Sequence, residues 1–273
     1  MIRLGLIGTG RWGRHYVEAA KLAGNCEVVS ESSLSHLRWD GQDIDAVIVA
    51  TPPNALVDRA VAVLRARLPV MVEKPVGLSV REAKSLESLG GLCLVNHQHL
   101  FAPAYEELYR RAKDIPYLQI STRGGDSKPA HDWSWLWDWA PHDIAMVLDL
   151  GGFNPQLASV WRDDASTLAR WRTARGSAFA HVGVNFDRKH RYLKVNDHGF
   201  SMVYDDRAEH KLVIDGVPVE VSPELPLTRS LRAFASAVAE GGTTDRRFGA
   251  RWGVAVAEQI EAIESFGSLR AVV

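Results

Sequence analysis

The length, composition and charge of this sequence fit a soluble globular protein with two domains. Its 273 residues exceed the usual size of one domain, and 46% hydrophobic with 24% charged residues exclude an intrinsically disordered chain. The 32 basic and 33 acidic residues give a net charge of -1, which argues against nucleic acid as a partner. No apolar stretch could span a bilayer, so we expect no membrane partner. The two cysteines and the lack of a signal-peptide cleavage pattern favour the cytoplasm.

The first part of the chain predicts strands that alternate with helices. Residues 2–7 read as a strand, and residues 11–23 as a helix that ends at Gly24. Further strands are predicted at 26–30, 44–50, 70–73 and 92–96. Asn54 is expected to cap a second helix, and Ser79 with Glu82 to form the capping box of a third. This alternation predicts a doubly wound parallel sheet, shortened after the second strand.

Beyond about residue 115 the pattern changes to strands in close succession. We predict strands at 118–123, 178–187, 192–195, 201–204 and 211–214, and helices at 142–150, 227–240 and 249–265. Such a pattern is typical of an α+β domain built on a mainly antiparallel sheet. The sequence therefore predicts an α/β domain over residues 1–115 and an α+β domain over residues 116–273.

A glycine turn follows the first predicted strand. Its sequence fits G-x-G-x-x-G and consists of Gly8, Thr9, Gly10, Arg11, Trp12 and Gly13. Gly8 permits the tight turn, Gly10 lets the backbone approach a pyrophosphate, and Gly13 allows close helix packing. The N-terminus of the next helix offers unpaired N–H groups to an anion. The turn predicts a site for NAD or NADP.

The choice between NAD and NADP depends on the end of the second strand. Glu31 lies about 20 residues after the glycine turn, where an acidic residue binds the adenosine ribose of NAD. A longer strand would put Ser33 there instead, with Arg38 nearby to accept a 2′-phosphate. Both cofactors remain open.

Three further segments, with the glycine turn, resemble the glucose-fructose oxidoreductase and inositol dehydrogenase family (Gfo/Idh/MocA). They are Thr51-Pro52-Pro53, Glu73-Lys74-Pro75 and Asp138-Trp139-Ala140-Pro141-His142-Asp143. The resemblance implies that the first segment borders the nicotinamide and that the second contributes to the cofactor site through Glu73 and Lys74. It also implies that Lys74 points to the junction of cofactor and substrate. A cis peptide bond before Pro75 is plausible.

The segment from Val95 to Pro103 looks like the one with which the family leaves its cofactor domain. Gln98 could face the substrate there, whereas His97 is at least as well explained as a core or hinge residue. Leu100 stands where members often have an arginine, and Trp135 and its neighbours replace the glycines that precede the family's catalytic aspartate. These departures predict an atypical substrate pocket.

The predicted catalytic residues are Lys74, Asp138 and His142. Oxidation or reduction at a carbon that bears oxygen needs a proton moved at that oxygen, and a histidine is suited to this step near neutral pH. Asp138 lies four residues before His142, so one helix would place both on one face, although Pro141 favours a helix that starts between them. Lys74 would stabilise alkoxide charge. Asp143 contacts substrate or caps the helix.

Tryptophans and histidines occur close to the predicted site segments. Tryptophans at every second position precede His142 and are expected to border the substrate, with Trp137 as a substrate-binding candidate: Trp133, Trp135, Trp137 and Trp139. No histidines make a local metal pair, and His97 and His99 would face opposite sides of a strand, so we predict no metal.

The leading hypothesis is an NAD(P)-dependent dehydrogenase or reductase that acts on a hydroxyl or ketone. Its substrate would be a small, carbohydrate-like molecule: a sugar, a cyclitol or a sugar nucleotide. The alternatives are a reductase of the biliverdin or imine type, and a nucleotide-binding regulator on the same scaffold. The resemblance also implies that residues 1–115 form a Rossmann dinucleotide-binding domain and that residues 116–273 bind substrate and mediate oligomerisation. Members of the family commonly assemble through the exposed sheet face of the second domain, so a homodimer or homotetramer is expected.

Overall fold

The computed structural model describes residues 1–32, 44–127, 131–197 and 199–267. Of these residues, no helix has both the length and the apolar character needed to cross a membrane. In chain order the elements are β1 Ile2–Ile7, α1 Arg11–Ala23, β2 Cys26–Ser32, β3 Ala46–Val49, α2 Pro53–Arg65, β4 Val70–Val72, α3 Val80–Glu87, β5 Cys93–Val95, a 3-10 turn Gln98–Phe101, α4 Pro103–Ala112, β6 Tyr117–Gly124, α5 Trp135–Gly151, β7 Gln156–Arg162, β8 Ser166–Thr173, β9 Gly176–Gly183, β10 His190–Asp197, β11 Phe200–Asp205, β12 Leu212–Ile214, β13 Val217–Pro218, α6 Pro226–Ala239 and α7 Arg251–Ser265.

The chain forms two compact units, and the first contains two separate stretches of sequence. It comprises Met1–Phe101 and Glu224–Ala257, and the second comprises Ala102–Pro223 and Glu258–Val273. The later stretch joins the first because α6 packs against α1. Arg232 Nε donates to the carbonyl of Ala23 at 2.8 Å, and Asn25 Nδ2 donates to the carbonyl of Arg232 at 3.0 Å. The sequence pattern predicts instead a single boundary between residues 115 and 116.

The first unit contains a parallel sheet in the order β2-β1-β3-β4-β5 among the described residues. Strands β3, β4 and β5 are wholly buried, which explains their near-continuous apolar sequences. Gly24 ends α1 in the left-handed conformation with φ 78°, as predicted. The predicted parallel Rossmann-type sheet is confirmed.

The second unit contains a mixed sheet in the order β13-β12-β11-β10-β6-β9-β8-β7. Its pairs are antiparallel except β6 with β9, which run parallel. Helix α5 packs against β6 and β9. The predicted mainly antiparallel α+β class is confirmed, although β7, β8 and α4 were not predicted.

Four local predictions can be compared with the structure. The cap at Asn54 is wrong, because α2 begins one residue earlier at Pro53 and Pro52 precedes it. Ser79 does cap α3 by accepting the N–H of Glu82 at 3.2 Å, and Glu82 accepts the N–H of Leu78. A helix start between Asp138 and His142 is also wrong, because α5 begins at Trp135. His97 and His99 do not alternate on a strand: β5 ends at Val95, and both imidazoles are buried.

Candidate functional site

The glycine turn after β1 is shaped by two close backbone approaches. Gly8 has φ +107°, and a Cβ added there would lie 2.5 Å from the carbonyl oxygen of Ala50. A Cβ on Gly13 would lie 2.0 Å from the carbonyl oxygen of Gly8. Both positions therefore require glycine, the first to pass the end of β3 and the second to close the turn onto α1.

Gly10 differs from the other two glycines, because a Cβ placed on it would meet nothing within 4 Å. It is the N-cap of α1 and provides no side chain to cap the helix. The first N–H groups of α1 thus lie beside open space, which is the arrangement that a pyrophosphate needs. Arg11 is exposed, and the indole of Trp12 is 38% exposed with its ring against His15. The turn fits a dinucleotide.

The other predicted cofactor residues lie at the carboxyl ends of the same parallel strands. Glu31 is exposed near the end of β2 and is in register with Leu6 of β1. Thr51 follows β3 and is buried, and Pro53 is the first residue of α2. Ser33 and Arg38 lie outside the described residues. The structure thus brings the glycine turn, Glu31 and the Thr51 segment to one edge of the sheet, where open α/β sheets bind ligands.

Lys74 lies at that edge too, one residue after Glu73 at the end of β4. Its peptide bond to Pro75 is cis, and the side chain is half-buried. The carboxylate of Glu73 is only 5% exposed and accepts hydrogen bonds from Tyr16 at 2.5 Å and Asn96 at 2.9 Å. Neither Tyr16 nor Asn96 was a sequence candidate, because nothing in the motifs marks them.

The positive charge of Lys74 acts on two buried neighbours. Burial raises the pKa of Glu73, whereas hydrogen bonds from Tyr16 and Asn96 and the charge on Lys74 lower it; burial dominates. Burial, together with the charge on Lys74, lowers the pKa of His97 to about 3. His97 is therefore neutral at physiological pH. Gln98, the next residue, is half-buried at the start of the 3-10 turn.

In the second unit, α5 carries both Asp138 and His142. They are four residues apart on one helix, so their side chains share a face, as one of the two predicted geometries requires. His142 is 6% exposed, whereas the side chain of Asp138 is 28% exposed. Pro141 lies inside the helix and removes the N–H that would otherwise bond the carbonyl of Trp137.

Asp143 is fixed inside the second unit. Its carboxylate is fully buried and accepts a hydrogen bond from Arg123 Nε of β6 at 2.5 Å. Burial raises the pKa of Asp143, although the charge and hydrogen bond of Arg123 lower it. The predicted alternative of a helix cap is wrong, because Ser134 is the cap residue and accepts the N–H of Leu136. A substrate contact for Asp143 stays a prediction.

The four tryptophans have different surroundings. Trp137 is 4% exposed, and its indole N–H donates to Glu264 at 3.2 Å. Trp133 stacks face to face on His131, with ring centroids 3.4 Å apart. Trp135 and Trp139 are half-buried. The structure gives Trp137 a packing role in the core, and its contact with substrate stays a prediction.

His131 was not a sequence candidate, yet it is the residue that the structure places beside Asp138. Its Nδ1 donates to the carbonyl of Trp133 at 2.9 Å, and its Nε2 lies 3.6 Å from a carboxylate oxygen of Asp138. His131 precedes α5 and belongs to none of the motifs, so the sequence contains no signal for this contact. Among the described residues, no group of three or more His, Cys, Asp or Glu is arranged to hold a metal.

Residues 19–90 match the model of an oxidoreductase family with an NAD-binding Rossmann fold, named GFO_IDH_MocA. The match supports the predicted resemblance to the Gfo/Idh/MocA oxidoreductase family. It covers α1 from its second half through α3 and includes Lys74. The family description also supports the predicted class of cofactor, NAD or NADP. The Asp138–Asp143 segment lies outside the matched residues.

Two curated relatives are similar to part of this chain. The rhizopine catabolism protein MocA of Rhizobium meliloti is 31% identical over 30% of this chain and 32% of its own. The scyllo-inositol 2-dehydrogenase (NAD(+)) of Bacillus subtilis is 29% identical over 40% of each chain. The chain thus spans about a third to two fifths of the length of these relatives.

Solved structures of similar fold extend over nearly the whole chain. A candidate oxidoreductase from Magnetospirillum magnetotacticum MS-1 is 28% identical, with a TM-score of 0.80 over 96% of this chain and 99% of that chain. The UDP-N-acetylglucosamine 3-dehydrogenase GnnA of Acidithiobacillus ferrooxidans is 18% identical, with a TM-score of 0.84 over 96% of each chain. At that identity the second likeness concerns the fold alone.

Proposed function

We propose that this protein is an NAD(P)-dependent oxidoreductase that interconverts a hydroxyl and a ketone on a sugar, a cyclitol or a sugar nucleotide. The observation that carries the proposal is the glycine turn, whose Gly10 leaves open space at the N-terminus of α1 while Gly8 and Gly13 are held by close backbone approaches. The polyhydroxylated substrate class is supported by the curated inositol dehydrogenase relative.

The reaction needs the chain's own residues for binding and for the proton. When bound, NAD or NADP supplies the hydride acceptor or donor. As the alcohol becomes a ketone, the hydroxyl proton passes to an imidazole nitrogen of His142, and in reduction it returns from there. Asp138 shares a helix face with His142 and would orient it. Lys74 would donate a hydrogen bond to the substrate oxygen and stabilise its negative charge.

The test is a titration of the purified protein with NAD and NADP, followed by turnover assays on a panel of sugars, cyclitols and sugar nucleotides. We expect binding of at least one cofactor and a change in nicotinamide absorbance with at least one substrate. The proposal would be contradicted if the protein bound neither NAD nor NADP. Binding without turnover of any hydroxyl or ketone compound would favour the regulatory alternative.

A further inference from the structure

Three buried polar side chains meet behind the end of β4 in the first unit. Tyr16 comes from α1, Glu73 follows β4, and Asn96 follows β5. Tyr16 Oη donates to Glu73 Oε1 at 2.5 Å, and Asn96 Nδ2 lies 2.9 Å from the same oxygen and 2.7 Å from Tyr16 Oη. We call these three residues the Glu73 cluster. They are between 0 and 5% exposed.

Burial of the Glu73 carboxylate costs free energy because the charge loses its contact with water. Apolar residues of similar volume would fill the same space without that loss. The cluster offsets part of that cost through the phenol and amide donors, which are close and buried. Both donors come from elements distant in sequence, 57 and 23 residues from Glu73. The hydrogen bonds therefore connect the end of β4 to α1 and to the segment after β5.

The second oxygen of the carboxylate connects the cluster to Lys74. Glu73 Oε2 accepts the backbone N–H of Lys74 at 3.2 Å, while Oε1 is held by Tyr16 and Asn96. The carboxylate and the ammonium of Lys74 also attract each other. The cluster thus acts on both the backbone and the charge of the lysine that follows it.

We propose that Tyr16, Glu73 and Asn96 form a positioning cluster that sets the orientation of Lys74. This inference rests on the proposed function, in which Lys74 contacts the substrate oxygen. The sequence predicts Glu73 as part of the cofactor site. In this proposal Glu73 instead acts through Lys74 and does not bind the cofactor directly. Its carboxylate is 5% exposed and both of its oxygens accept hydrogen bonds from the protein, which agrees with this role.

The experiment compares Glu73→Gln and Tyr16→Phe with Tyr105→Phe. Tyr105 is also fully buried and donates to a carboxylate, Asp149, at 3.0 Å, but it lies in the second unit. Its variant therefore controls for the loss of a phenol–carboxylate bond from a buried tyrosine. The rate of Lys74 modification by trinitrobenzenesulfonate, measured by peptide mass spectrometry, needs no substrate. Calorimetric affinity for NAD or NADP and cofactor-saturated turnover complete the set.

We expect Glu73→Gln and Tyr16→Phe to change the Lys74 modification rate severalfold. They should lower kcat roughly tenfold while the affinity for cofactor stays within about twofold, the pattern of a residue that acts on the chemical step. Tyr105→Phe should change neither the modification rate nor kcat. If one variant does not fold, as judged by circular dichroism, Asn96→Ala takes its place, because it removes the amide bonds to Tyr16 and Glu73 but leaves both of those side chains in place.

Two results would overturn the inference. One is wild-type Lys74 modification and turnover in the folded cluster variants. The other is weakened cofactor binding with unchanged kcat, which would make Glu73 a cofactor ligand. A separate Lys74→Ala variant distinguishes failure of the proposed function from failure of this inference. Full turnover in Lys74→Ala would contradict the proposed role of Lys74 in the reaction. The Lys74 modification rates in the cluster variants would still decide whether the Glu73 cluster orients Lys74.

Discussion

Arg123 Nε of β6 lies 2.5 Å from Asp143 Oδ2 of α5, and the two side chains are 7% and 0% exposed. This ion pair holds the helical turn that contains His142 against the sheet of the second unit. Removal of one partner would leave the other charge buried without its counterion. We expect Arg123→Met to lower the free energy of unfolding by about 3–5 kcal/mol in urea denaturation.

The control for this prediction is Arg191→Met, which breaks an exposed pair with Asp206. Its loss should be about 0–1 kcal/mol. The loss in Arg123→Met should also shrink as the pH falls, because burial already raises the pKa of Asp143 and its carboxyl can then take up a proton. Equal losses in the two variants would contradict the importance of burial here.

The glycine turn allows binding and stability to be separated. Gly10→Leu adds a side chain to open space, so the protein should fold normally but lose measurable binding of NAD and NADP in calorimetry. Gly13→Ala should instead destabilise the protein, because its Cβ would lie 2.0 Å from the carbonyl oxygen of Gly8. Wild-type nucleotide affinity in Gly10→Leu would show that the cofactor site lies elsewhere.

The proposed proton transfer predicts graded losses of activity. His142→Ala should lower cofactor-saturated turnover by roughly a hundredfold or more, the range for loss of a general acid or base. Lys74→Ala should lose as much and displace the pH optimum, because it removes a positive charge from the site. Asp138→Asn should be milder if it only orients His142. Affinity for cofactor should hardly change in His142→Ala.

The control for these variants is His190→Ala, since His190 belongs to a surface pair with Asp187. It should keep full turnover. Near-normal activity in both His142→Ala and Lys74→Ala would defeat the mechanism, even with the nucleotide site intact.

We expect the buried His97 to make a contribution to the free energy of unfolding that is lost in acid. Its pKa is about 3 in the folded protein and about 6.5 when unfolded, so the unfolded chain binds the proton first. Stability from the neutral imidazole is therefore present above pH 6.5 and declines as the pH falls toward 3. Between about pH 6.5 and pH 5 the decline should be about 1–2 kcal/mol.

We would measure this contribution as the difference in unfolding free energy between the wild type and His97→Gln across that pH range. The wild type and His97→Gln must be compared with each other because Glu73 also contributes a pH-dependent stability in both proteins. Burial raises the pKa of Glu73, so its contribution to the free energy of unfolding declines as the pH rises above about 4.5. The exposed His15 gives the control variant His15→Gln, which should leave the slope unchanged. A wild-type slope in His97→Gln would rule out this assignment.

The parallel sheet could be predicted from the sequence because buried parallel strands are apolar along their whole length, as in Ala46–Val49. By contrast, β7 and β8 were missed. Their sequences, Gln156–Arg162 and Ser166–Thr173, include arginines and hydroxyl side chains that obscure the alternation of a half-buried strand. The start of α5 was missed because Pro141, usually a first-turn residue, lies in its interior.

The candidate site could be predicted only where a motif fixes the local backbone. Gly8 and Lys74 follow strands β1 and β4, and Gly10 and Gly13 lie at the start of α1, so their places followed from the pattern of strands and helices. The partners Tyr16 and Asn96 lie 57 and 23 residues from Glu73, and Arg123 lies 20 residues from Asp143. Their contacts depend on strand order and helix rotation, which no local pattern specifies.

The two-segment composition of the first unit has a consequence for synthesis on the ribosome. The chain emerges through β5 and the 3-10 turn, but α6, which packs against α1, follows only after Pro223. At usual rates of synthesis, translation of the intervening 102–223 stretch takes on the order of ten seconds. During that time the face of α1 that α6 will cover is open to solvent. The nucleotide-binding unit, although it begins first in the sequence, is thus completed only after residues 102–223 of the second unit have been synthesised.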